Sequence, residues 1–339
     1  MFCTQAPVRH PARGSLRSGL SLLEVLFSIF IISVGMLGAA MLIVVGNQYA
    51  ADANIKDRAA ACGHAALQQV VARGMLAPKS WVVLPSAPGL SLYQPVVLDP
   101  LFLYANWSQN AARRFRMVID VPRVSWVPIH GTSGWSLGQR QALADAIFRW
   151  QDDLVFDPPP GDANGRPLPI TYRPPGGPAL LPLEASEGQF SWMAVIQPAW
   201  SEVRSGIPLN QRRLWRVTVV VFARRNLAEP ERRIPRASVR FFPPGNNLLL
   251  QGPPAEVQQH LLPDRWILLS VRHPAPGVPV FYQWYRIVSL AQIGGGNEWL
   301  LRLDGPRWPY AAGNGVVAAT VVPDVVAVYD RTVAVDPEY

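Results

Sequence analysis

The stretch Gly19–Val45, GLSLLEVLFSIFIISVGMLGAAMLIVV, decides how the whole chain must be arranged. From Val25 to Val45 it contains no charged side chain. A helix of that length, rising about 1.5 Å per residue, spans the roughly 30 Å hydrocarbon layer of a bilayer. The preceding segment, Met1–Gly19, contains arginines and no acidic residue. The positive-inside rule therefore predicts a single-pass protein with a cytoplasmic N-terminus and the remainder outside.

The apolar stretch allows three interpretations. It can be a secretory signal cleaved after the small residues Gly38–Ala40, a plain membrane anchor, or a helix that is cut at Gly19 and then assembles with its copies. Glu24 separates them, because a carboxylate inside an apolar helix carries a penalty on the order of 3 kcal/mol that a signal or an anchor has no reason to bear. After cleavage at Gly19, the new ammonium group of Leu20 in an adjacent subunit can pair with Glu24 and offset both burial costs.

The residues Gly19–Leu26 resemble the cleavage and methylation motif of the type IV prepilin and pseudopilin family: a small residue, a hydrophobic first residue, and Glu at the fifth mature position. The resemblance implies that a prepilin peptidase removes residues 1–19, cuts between Gly19 and Leu20, and methylates the new amine. It also implies that Glu24 serves subunit assembly. Leu20 departs from the Phe that the family usually has there. The stretch Ile32–Gly38 is similar to minor pilins of the pilus-modification type.

The helical pattern continues beyond the apolar stretch. One apolar stripe with helical spacing is formed by Ile55, Ala59, Cys62, Ala66 and Val70. Gly74 and Pro78 supply a stop signal. The sequence therefore predicts one helix over Leu20–Arg73, with a transmembrane segment at 22–45. Cys62 is expected to be a small core residue; the other cysteine, Cys3, lies in the proposed leader, so we expect no disulfide.

From Pro78 to Tyr339 short apolar runs alternate with turns, and the chain has 34 prolines, which suits a β-rich head rather than a helical bundle. The predicted fold class is α+β, with the long N-terminal helix packed on a mainly antiparallel head. One amphipathic helix is predicted over Leu137–Leu154. The predicted strands are Trp81–Leu84, Arg114–Val121, Phe190–Gln197, Leu214–Ala223, Trp266–Arg272, Tyr282–Leu290, Trp299–Leu303 and Val316–Val328.

Loops rich in Pro and Gly near 157–178 can divide the head into two lobes. Asp157–Gly165 offers oxygen ligands for calcium, but its spacing fits no known calcium loop, and a solvated turn is favoured. The C-terminal strands resemble the heads of large prepilin-like proteins of planctomycete-type bacteria. Gly294–Asn297, between two predicted strands, is expected to be a hairpin turn rather than a phosphate site.

Catalytic signatures are not found in the sequence. None of the five histidines has a metal-ligand spacing with Cys, Asp or Glu, and no nucleotide-binding or hydrolase motif occurs. We therefore expect a protein that is not an enzyme and that uses no metal or cofactor.

A basic tract is the remaining candidate site. Its possible nucleic-acid-binding residues are Arg212, Arg213, Arg224, Arg225, Arg232 and Arg233, with Arg236 and Arg240 nearby. Such a tract can bind DNA electrostatically. Glu229 and Glu231 dilute the charge, and a solvated hairpin between strands is the favoured interpretation.

The combined interpretation is a minor type IV pilin or pseudopilin subunit, incorporated into or at the tip of a filament. Its expected partners are the prepilin peptidase, other pilin or pseudopilin subunits, inner-membrane lipid before assembly, and DNA as a weaker candidate. The alternative is a membrane-tethered surface protein that binds DNA or a polymer and does not polymerise. The sequence leaves open whether the system is a pilus, a type II secretion machine or a DNA-uptake machine.

Overall fold

The computed structural model describes residues 22–77, 81–82, 95–100, 103, 116–118, 121–126, 136–150, 190–199, 214–225, 231–234, 239–242, 246–252, 258–272, 280–293, 298–308 and 316–335. It confirms the predicted α+β class, because a long N-terminal helix packs on a mostly antiparallel β-rich region. The chain divides into two compact units at the boundary between Ile55 and Lys56. All described strands belong to the second unit.

Two helices and fourteen strands are found among the described residues. The helices are α1 (Leu22–Ala72) and α2 (Leu137–Phe148). The strands are β1 (Trp81–Val82), β2 (Val96–Leu98), β3 (Arg116–Val118), β4 (Val121–Trp126), β5 (Phe190–Pro198), β6 (Leu214–Ala223), β7 (Arg232–Ile234), β8 (Val239–Phe242), β9 (Asn247–Gln251), β10 (Trp266–Arg272), β11 (Phe281–Ile293), β12 (Glu298–Asp304), β13 (Val316–Val321) and β14 (Val325–Ala334).

The described strands form two seven-stranded sheets. Sheet 1 has the order β1-β4-β2-β5-β6-β14, with β3 also paired to β4; its pairs are antiparallel except β2 with β4. Sheet 2 has the order β7-β13-β10-β11-β12-β9-β8 and is antiparallel throughout. Its two ends approach each other where β8 contacts β13, so sheet 2 nearly closes into a barrel.

Three apolar layers fill the second compact unit. The C-terminal part of α1 packs with α2 on one face of sheet 1, where Trp192 contacts Phe148 with ring centroids 4.8 Å apart. Sheet 2 packs on the other face of sheet 1, and the inside of sheet 2 forms its own core. Strand β6 is buried on both sides, since Val219 faces the helices while Val220 faces sheet 2. This double burial explains its continuous run of valines.

The stripe predicted along α1 is buried from Ala59 to Val70 but not at Ile55, which is 38% exposed. The helix ends at Ala72, close to the predicted Arg73. Gly74 adopts a left-handed φ of +62°, and its N–H bonds to Val71 O while Met75 N–H bonds to Val70 O. This pair of bonds is a Schellman cap, which needs a residue that tolerates positive φ at the position of Gly74.

The single strand predicted over Val316–Val328 is wrong. It is two strands, β13 in sheet 2 and β14 in sheet 1, and the chain changes sheets between them. Asp324, at a φ of +64°, lies at the change of direction, and its carbonyl accepts from Ala223 N–H of β6. Pro323, which has no N–H to contribute to a ladder, stands immediately before it. The apolar pattern continues across the break because both strands are buried.

Two other predicted boundaries are also wrong. The strand predicted over Arg114–Val121 is replaced by β3 and β4, which pair antiparallel with Val118 opposite Val121, so the chain reverses direction between them. The helix predicted to reach Leu154 ends at Phe148, because Trp150 N–H bonds to Phe190 O of β5 and draws the chain onto sheet 1. Residues 151–154 lie outside the described part of the chain.

The strongest strand predictions are confirmed. Strands β6 and β10 have the predicted bounds, and β5, β11 and β12 extend the predicted runs by a few residues. Strands β11 and β12, which flank Gly294–Asn297, pair as an antiparallel hairpin.

The sequence did not predict β2, β7, β8 and β9, which are all five residues long or shorter. The loops at 157–178 lie outside the described residues, so the two-lobe hypothesis stays a prediction.

Gly63 of α1 lies in close contact with Tyr329 of sheet 1. A Cβ at Gly63 would lie 2.2 Å from Cδ2 of Tyr329. We therefore expect Gly63→Ala to lower the free energy of unfolding by about 1–3 kcal/mol, because the helix or the tyrosine ring must move. Gly46→Ala is the matched control: its Cβ would meet nothing within 4 Å. Chemical denaturation in detergent checks both, and equal stabilities of the two variants would contradict the close packing.

Candidate functional site

The first candidate site is the N-terminal part of α1. Among the described helices, α1 is the one whose length and composition suffice to span a membrane. Its large apolar side chains are exposed, for example Leu22 at 80% and Leu42 at 72%. An aliphatic surface of this kind is expected to contact lipid or other helices rather than water.

Glu24 lies in the first turn of this exposed apolar helix. Ser33, one of the few other polar residues of the segment, donates its Oγ–H to the carbonyl of Ile29 at 2.7 Å and is thereby satisfied inside the helix. The carboxylate of Glu24 accepts no comparable local bond among those found in the described helix, and the next charged side chain along α1 is Asp52. The predicted cleavage residues Gly19 and Leu20 lie outside the described residues.

The second part of α1 is tied to sheet 1 through Tyr329 of β14. The Tyr329 ring covers Gly63 and lies 5.2 Å from the ring of His64, measured between centroids. Burial raises the pKa of Tyr329, and the neighbouring Cys62 raises it further. Cys62 is fully buried in this contact, as predicted for a small core residue.

A buried cluster of charges forms the second candidate site. Asp99, directly after β2, accepts from Arg123 Nε at 2.7 Å and from both terminal nitrogens of Arg225 at 2.8 and 3.0 Å. The carboxylate and the Arg123 side chain are 0% exposed, and Arg225 is 3% exposed. Arg225 also stacks over the Phe222 ring, 4.2 Å from its centroid. Bidentate pairing satisfies both oxygens, which a buried carboxylate requires.

Glu231 completes this cluster, because it pairs with the second side of Arg123. Two cations and two anions are therefore buried together without net charge. Arg123 lies on β4, and Asp99 and Arg225 lie just beyond the ends of β2 and β6 of sheet 1, whereas Glu231 directly precedes β7 of sheet 2. The cluster thus links the end of β6 in sheet 1 to the start of β7 in sheet 2.

This cluster corrects part of the predicted DNA-binding tract. The Arg225 guanidinium is occupied by Asp99, and Glu231 is paired rather than a diluting surface charge. The neighbouring Arg224 is exposed and adopts a φ of +53°. Arg212 and Arg213 lie outside the described residues. The side chains of Arg232 and Arg233, on strand β7, also lie outside the description, so their contact with DNA stays a prediction.

In the described part of the chain, no three His, Cys, Asp or Glu side chains converge on one point. The calcium candidate Asp157–Gly165 lies outside the described residues.

The sequence did not predict the Asp99 cluster, because its members are far apart in the chain. The pairing of Asp99 with Arg225 spans 126 residues, and no spacing rule connects them.

Comparisons of the chain with protein-family models, with curated proteins and with solved structures find no match. The candidate sites are therefore defined by their own residues: Glu24 in the exposed apolar helix, and the charge cluster around Asp99. The first faces outward and can act on a partner. The second is internal and serves the fold.

Removal of the central carboxylate tests the internal role of the cluster. Asp99→Ala leaves two buried arginines without their shared anion, so we expect a loss of about 3–5 kcal/mol in the free energy of unfolding. The control is Asp264→Asn, which removes the charge of the exposed partner of Arg286 and keeps a residue type that tolerates the left-handed φ of +68° at this position. It is expected to cost at most about 1 kcal/mol. Urea denaturation measures both. Similar losses for the two variants would show that the buried pairing contributes no more than a surface pair.

Proposed function

We propose that this chain is a minor subunit of a type IV pilus or pseudopilus, processed by a prepilin peptidase between Gly19 and Leu20. The observation that carries the proposal is the position of Glu24, five residues into the processed chain and inside an exposed apolar helix. The resemblance of Gly19–Leu26 to the prepilin motif adds the processing step. The α+β fold, with a long N-terminal helix on an antiparallel sheet, is compatible with this role.

Before assembly, the apolar part of α1 anchors the chain in the inner membrane, with the N-terminus in the cytoplasm and the β-rich region outside. In that state Glu24 lies near the end of the span, where its carboxylate can reach the headgroup region. On assembly, the ammonium group of Leu20 in a neighbouring subunit replaces water and lipid as its partner. Burial then favours only the register that pairs the two charges.

Substitution of Glu24 tests the proposal. Glu24→Gln keeps the size of the side chain and removes the charge, so insertion into the membrane is expected to stay intact or improve. Incorporation into filaments is expected to fall by at least tenfold, because the ammonium group of the neighbour is left without its anion. Quantitative immunoblots of sheared filament and membrane fractions from the native host measure both quantities.

The matched control is Ser33→Ala, which removes a polar group of the same helix whose hydrogen bond is internal. We expect it to leave incorporation unchanged. Equal incorporation of the native chain and Glu24→Gln would overturn the assembly role. Absence of the native chain itself from every filament fraction would favour the alternative, a tethered surface protein that does not polymerise.

A further inference from the structure

Strand β14 is the last strand of sheet 1, and one of its two sides has no neighbouring strand. It pairs with β6 on one side, and no described strand pairs with it on the other. The strand is 10 residues long, Val325–Ala334. We call its unpaired side the free edge. A long unpaired edge is a template for a further strand, because its backbone groups have no partner in the sheet.

Two backbone hydrogen bonds show which residues of β6 point to β14. Ala199 N–H donates to Leu214 O, so the backbone of Leu214 points to β5, and that of the next residue, Trp215, points to β14. At the other end of β6, Ala223 N–H donates to Asp324 O, which fits the same alternation.

The register of β14 on β6 then identifies the groups on the free edge. Val333 is opposite Trp215, so the backbone groups of Val333 point to β6. The alternate residues of β14 point away from β6. The N–H and C=O groups on the free edge are therefore those of Val328, Asp330, Thr332 and Ala334. A strand beside β14 would bond to these groups and extend sheet 1.

The C-terminal half of the free edge is accessible. The side chains of Asp330, Arg331, Thr332 and Ala334 are exposed. Neighbouring residues of a strand point to opposite faces of its sheet, so both faces are open from Asp330 to Thr332. This part of β14 therefore lies at the margin of the layers that cover sheet 1.

The backbone of this part of β14 is regular. The bulge of the strand lies between Val325 and Ala327, and the register is continuous from Ala327 to Ala334. The same residues include no proline. Bulges and prolines are common features that prevent an edge strand from accepting a neighbour. A partner strand can therefore pair with the free edge without a rearrangement of β14.

The charges along β14 indicate which kind of strand fits. Asp330 is neutralised within sheet 1, because its carboxylate accepts from Arg216 and Thr218 of β6. Arg331 is exposed and forms no ion pair with a described residue. Two copies paired antiparallel about Arg331 would place their guanidinium groups opposite each other, which disfavours a second copy in that register. The unpaired charge beside the free edge is positive.

We propose that the free edge of β14 binds an extended, acidic segment of another protein, which adds to sheet 1 as an antiparallel strand. The main chain of the segment bonds to the backbone groups of the free edge, and one of its carboxylates lies opposite Arg331. Because the backbone of Arg331 points to β6, Arg331 faces the segment at a non-hydrogen-bonded position, where opposite side chains are closest. The backbone bonds supply affinity, and the ion pair supplies selectivity.

This inference goes beyond the proposed function and does not depend on it. Strand β14 belongs to the second compact unit of the chain, whereas Glu24 belongs to the first. Loss of processing or of filament assembly would leave the free edge of β14 unchanged.

Binding of a synthetic peptide to the purified full-length chain in detergent tests the proposal. The probe is a short fluorescein-labelled peptide that alternates valine and threonine and carries one glutamate. The control peptide has lysine in place of the glutamate. Anisotropy titrations are expected to show saturable binding of the glutamate peptide, about tenfold tighter than that of the lysine peptide. No saturable binding of the glutamate peptide, or equal affinities of the two peptides, would overturn the proposal.

A proline on the free edge tests the backbone hydrogen bonds. Thr332→Pro removes an N–H that points away from β6, so the ladder with β6 keeps its bonds. It is expected to weaken binding of the glutamate peptide about tenfold. Thr332→Ala is the matched control, because it keeps the N–H, and is expected to bind like the native chain. Equal affinities of the two variants, both folded by circular dichroism, would contradict strand addition.

A modified peptide makes the same test without a change in the protein. Methylation of alternate backbone nitrogens of the glutamate peptide removes its donors and keeps its charge. Its binding to the native chain is expected to be about tenfold weaker. Unchanged affinity would show that the chain recognises only the charge, and would overturn the proposal.

Charge reversal tests the position of the carboxylate. Arg331→Glu is expected to make the lysine peptide the tighter ligand, whereas Glu24→Gln is expected to leave both affinities unchanged. A continued preference of Arg331→Glu for the glutamate peptide would contradict the ion pair. A native dimer in light scattering that Thr332→Pro converts to a monomer would identify a second copy as the occupant, and would also contradict the proposal.

Discussion

The contact between the small-residue stripe of α1 and sheet 1 is the constraint on which the rest of the structure depends. Ala59, Cys62, Gly63 and Ala66 let the helix backbone come close enough for the Tyr329 ring to cover it. That contact covers one face of sheet 1, and sheet 2 covers the other. Strands β5 and β6 are consequently buried on both faces, which a largely antiparallel sheet requires only when it lies in the middle of three layers.

Asp99 and Glu24 are two carboxylates in apolar surroundings, and they differ in whether a cation lies close to them. Asp99 finds its cations within the fold, where Arg123 and Arg225 neutralise it completely. Glu24 lies on an exposed apolar helix, and the first basic side chain along the described part of that helix is Lys56. Because a carboxylate is costly in lipid without a cation, the proposed function gives Glu24 a cation from a neighbouring subunit. Asp99 therefore stabilises the fold, whereas the proposal assigns Glu24 to contact between subunits.

The sequence predicted those elements whose signal is local. The apolar run, the Ala-rich stripe and the valines of β6 determine α1 and the central strands directly. It failed at Val316–Val328, where burial on both sides of the turn hid the change of sheet. It also failed at β2 and β7, whose pairing partners are distant, and at β8 and β9, which pair with each other but are only four and five residues long. The Asp99 cluster depends on which strand ends meet in the folded chain, and a periodic pattern alone does not determine that.

The most direct test of the central claim is the intact mass of the protein isolated from the membrane of its native host. Processing as a prepilin predicts a chain that begins at Leu20 and carries one methyl group on its α-amine. Its Glu24 would then be the fifth residue, in position to pair with a neighbouring N-terminus. A chain that begins at Met41, after a secretory cleavage behind Ala40, or one that retains Met1, would contradict the account.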